Sequence, residues 1–197
     1  MARERASRPE AKPVRLFAAV DVPDRAKAVV VDAIEPWRDR LPGGRWVPPE
    51  NWHVTVKFLG RTWPRLVDWV HERCREAAGA VRPFRLGPEG LGVFPNPGRA
   101  RVLWAGLDDL DGGLRALAAA AEAELAREFP TEKRPFSAHL TVARFNPPVP
   151  LRDQAEELSR ATIDTQPFRV GELVLYRSHL SPRGARYEPL ERFPLRG

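Results

Sequence analysis

The tetrapeptide His53-Val54-Thr55-Val56 returns as His139-Leu140-Thr141-Val142, 86 residues further along the chain. A second echo, Phe84-Arg85-Leu86-Gly87 and Phe168-Arg169-Val170-Gly171, follows each motif by about 30 residues. A period this long is wrong for a solenoid and points to two fused halves of one plan. Alternation and β-branched content predict strands over 14–20, 52–59 and 84–94, then over 101–107, 138–145 and 168–176. Helices are predicted over 23–40, 64–80, 111–129 and 151–160, with Pro23 and Pro64 opening the first two. The order is strand–helix–strand–helix–strand, twice. A last segment, 186–193, reads as an edge hairpin after the turn 181–184.

The repeated motif also carries chemistry. Side chains at i and i+2 of a strand share a face, so His53 points with Thr55 and His139 with Thr141. Val54, Val56, Leu140 and Val142 then face a core. Packed about a pseudo-twofold axis, the halves would bring two imidazoles and two hydroxyls to one cleft. Those four groups suit a phosphodiester. One imidazole takes a proton from water, the other gives one to the departing oxygen, and the hydroxyls donate to the non-bridging oxygens. The chain has six threonines and four histidines, so two such pairs at equivalent places are a rare coincidence. The competing reading is a pair of core histidines satisfied by backbone carbonyls.

Composition narrows the field. The 197-residue chain has no run of roughly 18 apolar residues and no apolar signal core, so a cytoplasmic location is expected. Residues 1–13 read as a disordered tail. One cysteine, Cys74, excludes an internal disulfide and a thiolate metal cage. No acidic or Cys residue stands at ligand spacing beside either motif histidine, so no metal or cofactor is expected. Nor is there a Ser or Cys at motif spacing for the histidines to activate as a nucleophile. The net charge of +6 suits a polyanionic partner, although Arg supplies nearly all of it, as a GC-rich genome would. Gly87-x-x-Gly90-x-Gly92 is not a nucleotide loop, since Pro88 and the lack of a following helix deny it a helix N-terminus.

Taken in order, several segments resemble the 2H phosphoesterase superfamily over nearly the whole chain. They are residues 15–23 (RLFAAVDVP), 46–60 (WVPPENWHVTVKFLG), 92–97 (GVFPNP), 101–106 (RVLWAG), 134–144 (RPFSAHLTVAR) and 184–187 (GARY). Within that superfamily the chain is similar to the RNA 2′,3′-cyclic phosphodiesterases, also called 2′-5′ RNA ligases. The resemblance implies an α+β fold: duplicated halves forming two antiparallel-sheet lobes around a central groove, with helices outside. It implies a single bilobal domain over 14–197, with repeats at about 14–100 and 101–197. The implied activity is hydrolysis of RNA 2′,3′-cyclic phosphate ends to 2′-phosphates, with His53 as proton donor and His139 as acceptor, and reversible 2′-5′ ligation beside it. The near-equivalence of the motifs leaves those two roles open on the residues alone. Alternatives are a phosphodiesterase acting on small cyclic nucleotides or 2′-5′ oligonucleotides, and a non-catalytic RNA-binding module. The implied partners are RNA 3′ ends or nucleoside 2′,3′-cyclic phosphates, bound by a monomer with no membrane and no obligate protein partner. Ser137-Ala138 depart from the His or Pro often found before the second motif, a change expected to touch support rather than identity.

Further candidates surround the motifs. Thr55 and Thr141 are expected to bind substrate. Arg144 could clamp phosphate, but strict alternation turns it away from His139 unless a bulge intervenes. Lys57 shares the His53 face on the same rule. Trp46, Phe58 and Phe94 are candidates for stacking a nucleobase. Phe94 in its Pro/Gly-rich loop is the preferred one, and Phe58 is expected in the core. His71 reads as a solvated residue, and His179 as a neighbour of a turn.

Overall fold

The computed structural model describes residues 12–41, 43–163, 166–182 and 184–197. Residues 1–11 of the expected tail and Arg183 of the expected turn lie outside the described residues. The chain runs β1 (Val14–Asp21), α1 (Asp24–Arg38), β2 (Gly44–Trp46), β3 (His53–Thr62), α2 (Val67–Gly79), β4 (Phe84–Phe94), β5 (Ala100–Asp109) and α3 (Gly113–Leu125). It continues with β6 (His139–Val149), α4 (Ala155–Arg160), β7 (Phe168–Val170), β8 (Glu172–Ser181) and β9 (Gly184–Pro194). Each long helix buries one stripe at helical spacing. In α1 this is Ala26, Val30, Ile34 and Trp37; in α3 it is Leu114, Leu117, Ala118, Ala121 and Leu125. These stripes cover one face of a single antiparallel sheet, ordered β7-β4-β5-β6-β3-β1-β8-β9, with β2 added to β6. No helix among the described residues is long and apolar enough to cross a membrane.

Two lobes meet where β3 pairs with β6. One is β3-β1-β8-β9 and the other β6-β5-β4-β7, so each lobe takes strands from both halves of the chain. The predicted strand 168–176 is accordingly two strands, broken at Gly171. Phe168 to Val170 pairs with Leu86 to Phe84 in one lobe, and Val174 to Arg177 pairs with β1 in the other. The two Phe-Arg-φ-Gly echoes thus pair with each other, Arg85 opposite Arg169. The short β2 lay unseen beside a Pro-Gly-Gly stop. The predicted helix 151–160 is helical only from Ala155.

Candidate active site

The sheet face away from the helices is open, and its floor is β3 beside β6. Their ladder contains one paired position, Val54 opposite Leu140. Both side chains are fully buried in the core. Antiparallel pairing at that point sets His53 across from Thr141, and Thr55 across from His139. The four motif side chains therefore share the open face, each histidine facing the other motif's threonine.

Both imidazoles are held alike. The Nδ1–H of His53 donates to the Asn51 carbonyl and that of His139 to the Ser137 carbonyl, each at 2.9 Å. A carbonyl can only accept, so each neutral ring carries its proton on Nδ1 and presents a bare Nε2. The contact uses backbone, so the Ser137-Ala138 departure leaves it intact. Phe17 stacks on His53 at 4.6 Å between ring centroids, and Tyr187 meets it edge-on at 4.9 Å. Phe94 meets His139 edge-on at 5.1 Å and leans on Trp104 at 5.2 Å. Trp104 lies flat across Gly92, where a Cβ would sit 2.2 Å from the indole. Burial pushes His53 down to about 4; the Asn51 carbonyl and Asp21 pull it up, while Arg144 and His139 push it further down. Burial and Arg144 also lower His139, against the Ser137 carbonyl.

Bulges decide what else reaches this face. On β6, Thr141 pairs with Trp104 and Ala143 with Leu103, so Val142 is an extra residue. The following Arg144 is turned onto the open face with His139. On β3, Thr55 pairs with Ala19 and Lys57 with Ala18, so Val56 is extra in the same way. That bulge corrects two expectations based on unbroken alternation. Lys57 goes to the core side, 5% exposed, and its ammonium donates to both Glu122 oxygens at 2.8 Å and to the Pro130 carbonyl at 2.7 Å. Phe58, expected in the core, comes out onto the open face at 56% exposure.

Trp46 packs against the core under the Arg38 guanidinium, away from the groove. His71 is tied to Glu191 rather than solvated, and His179 bonds Glu188 across the β8–β9 hairpin. Reasoning from sequence alone assigned no role to Phe17, Tyr187 or Arg45. Arg45 lies opposite Arg144 on β2. Phe17 and Tyr187 belong to segments that carry the resemblance, which was the available signal. Beside His53 the groove deepens into a cavity of about 680 Å³, lined by Asp21, Tyr176, Tyr187, Arg169 and Arg192 among others. The Tyr176 hydroxyl donates to Asp21, and burial with that carboxylate raises its pKa. Among the described residues no three His, Cys, Asp or Glu side chains converge as a metal cluster.

The fold and the sequence both have counterparts among known proteins. The family description "2'-5' RNA ligase superfamily" matches residues 22–182. The RNA 2′,3′-cyclic phosphodiesterase of Archaeoglobus fulgidus is 35% identical over 185 residues, covering 91% of this chain and 99% of that protein. The protein of the same name from Thermus thermophilus is 35% identical over 196 residues, covering 93% and 91%. Among solved structures, TT0787 of Thermus thermophilus superposes with a TM-score of 0.78 at 33% identity, covering 93% of this chain and 98% of that one. E. coli LigT complexed with 3′-AMP gives 0.69 at 30% identity, covering 93% and 99%. The chain belongs to the 2′-5′ RNA ligase superfamily, within the 2H phosphoesterases.

Proposed function

We propose that the protein opens 2′,3′-cyclic phosphate ends of RNA to 2′-phosphates by general acid–base catalysis between His53 and His139. The observation that carries this reading is the matched pair of imidazoles, each anchored through Nδ1 to a carbonyl and each offering Nε2. The cyclic phosphate sits over the β3–β6 floor with its non-bridging oxygens on the Thr55 and Thr141 hydroxyls and the Arg144 guanidinium alongside. Water attacks phosphorus as His139 Nε2 takes its proton. The bond from phosphorus to the 3′ oxygen breaks, and His53 Nε2 protonates that oxygen. Free His53 is held neutral near pH 7 by its burial. An anionic phosphate beside it favours the imidazolium, so the substrate itself charges the donor.

A 5′-hydroxyl in place of water would make a 2′-5′ linkage by the same two proton transfers. The donor and acceptor assignment comes from likeness to the family, since the geometry of the two motifs is nearly the same. The test is incubation with a nucleoside 2′,3′-cyclic phosphate in excess chelator, with the product isomer identified. A 2′-phosphate supports the reading. A 3′-phosphate would reverse the direction of ring opening, and no product would remove the activity.

A further inference from the structure

The two motifs are nearly alike in themselves, but their surroundings differ in charge. On β1 the residue opposite His53 is Asp21, so carboxylate and imidazole share the open face. On β5 the residue opposite His139 is Gly106, which brings no side chain. One imidazole has an acid as its ladder partner and the other has none.

Asp21 is held from two further strands. The Tyr176 hydroxyl of β8 donates to its Oδ1, and the Arg192 guanidinium of β9 donates to its Oδ2 at 2.8 Å. The Tyr176 ring stacks on Phe17 at 5.2 Å, and Phe17 stacks on His53. The carboxylate is thus tied into the wall that packs against the imidazole. Arg192 is shared with Glu172 at 3.3 Å, so this group keeps one negative charge in excess. The remaining charges around the cavity cancel: Lys27 meets Asp24 at 4.0 Å, and Glu50 and Arg169 add one of each sign. From β9, Tyr187 meets His53 edge-on. From β6, Arg144 acts on both imidazoles and does not tell them apart. Asp21 does, pulling His53 up against the burial that holds it down.

A carboxylate facing an imidazole favours its charged form, the form a proton donor needs. An imidazole with a guanidinium near it and no acid opposite stays neutral more readily, as a proton acceptor must. We propose that Asp21, fixed by Tyr176 and Arg192, is a positioning residue that reserves the acid's role for His53 and leaves His139 as the base. This rests on the acid–base reading above and gives a physical reason for an assignment that the motifs alone leave open. Asp21 acts through His53 and touches no reacting atom. Part of its side chain faces the open cavity, where water screens it, so its effect is severalfold rather than absolute.

The test follows kcat against pH on a saturating nucleoside 2′,3′-cyclic phosphate for wild type, Asp21→Asn and Asp21→Glu. Ring-proton titrations of both histidines by NMR, with a nucleoside 2′-phosphate bound, accompany it. Where His53 is already protonated, losing the carboxylate costs nothing. Where His53 is mostly neutral, the reactive fraction falls in proportion to its proton affinity. Asp21→Asn should therefore lose roughly three- to tenfold on the alkaline side and converge on wild type on the acidic side. The His53 titration should move to lower pH, with that of His139 moving much less. Asp21→Glu, which keeps the charge and has cavity room for one more methylene, should stay within about threefold of wild type. Equal loss at every pH, no loss, or an unmoved His53 titration in Asp21→Asn overturns the proposal. So does Asp21→Glu losing as much as Asp21→Asn, or a loss confined to the acidic side, which would make His53 the base. Wild type inactive on the cyclic phosphate overturns the underlying acid–base reading instead, and the titrations still read the effect of Asp21 on His53.

Discussion

His53 lies across the β3–β6 ladder from Thr141, and the one paired position beside it, Val54 with Leu140, sets that relationship. The threonine that serves a given imidazole therefore comes from the other half of the chain. Each of His53→Ala and His139→Ala should lower kcat roughly 10²–10⁴-fold. Thr55→Ala and Thr141→Ala should each cost about 1.5–3 kcal/mol, the scale of a hydrogen bond to a charged group. The double histidine variant should be little worse than either single one, because the pair acts as a unit. Steady-state kinetics on a cyclic mononucleotide read all of these, and near-wild-type turnover in a folded single histidine variant would refute the pairing.

The rate should follow a bell in pH. Its acidic limb reports protonation of the base and its alkaline limb loss of the acid's proton. Both imidazoles are lowered in the free protein, so the kcat/KM maximum should lie below the ordinary histidine value of about 6.5. Residual activity of His53→Ala should keep the acidic limb and lose the alkaline one, and His139→Ala the reverse. Swapped limbs would exchange the two roles. A flat profile between about pH 5 and 9, with chemistry rate-limiting, would exclude a two-histidine mechanism.

The same shift bears on stability. The folded His53 value of about 4 is below its unfolded value, so between 6.5 and 4 the unfolded chain binds more protons. Stability should fall as pH drops through that window, and His53→Gln should flatten the dependence. Urea melts at pH 7, 5.5 and 4.5 check the sign.

Removing Arg144 should act in two ways. Its charge lowers both histidines, so Arg144→Ala should raise both imidazole pKa values, seen as shifted titrations of the ring protons by NMR. Loss of a charged contact to phosphate should also weaken substrate by about 1.5–3 kcal/mol, with Arg144→Lys recovering part. Unmoved histidine titrations in Arg144→Ala would place the guanidinium away from the site.

Lys57 ties the His53 strand to α3 and to Pro130, at the start of the segment that leads into His139. Lys57→Met leaves Glu122 without its cation and should cost roughly 3 kcal/mol, or about 10 °C in Tm. Replacing Glu122 by Leu as well should recover much of that loss. Full stability in Lys57→Met alone would show that the clamp contributes nothing.

Activity should survive EDTA, because proton transfer and hydroxyl donation account for the chemistry with the side chains at the floor. Loss with EDTA and rescue by one divalent ion would refute this.

The paired HxT motifs, the order of strands and helices, and the shared face of His53 with Thr55 and His139 with Thr141 were legible in the sequence. They follow from local rules: two-residue alternation, helical stripes and proline starts. Other features depended on contacts between distant segments. Whether Arg144 reaches the groove depends on the extra residue Val142, and that is set by how β6 registers against β5. The same holds for Val56 against β1, which sent Lys57 inward and Phe58 outward, against the alternation rule. Gly171, which carries the chain from one lobe to the other, separated two strands that read as one. The walls of the site came the same way: Phe17 and Tyr187 are far apart in sequence and meet His53 only once β1, β3, β8 and β9 form one sheet. A strand's own residues determine its alternation, but its partners determine where that alternation slips, and the two slips that shape this site, at Val56 and Val142, each fall three residues after a motif histidine.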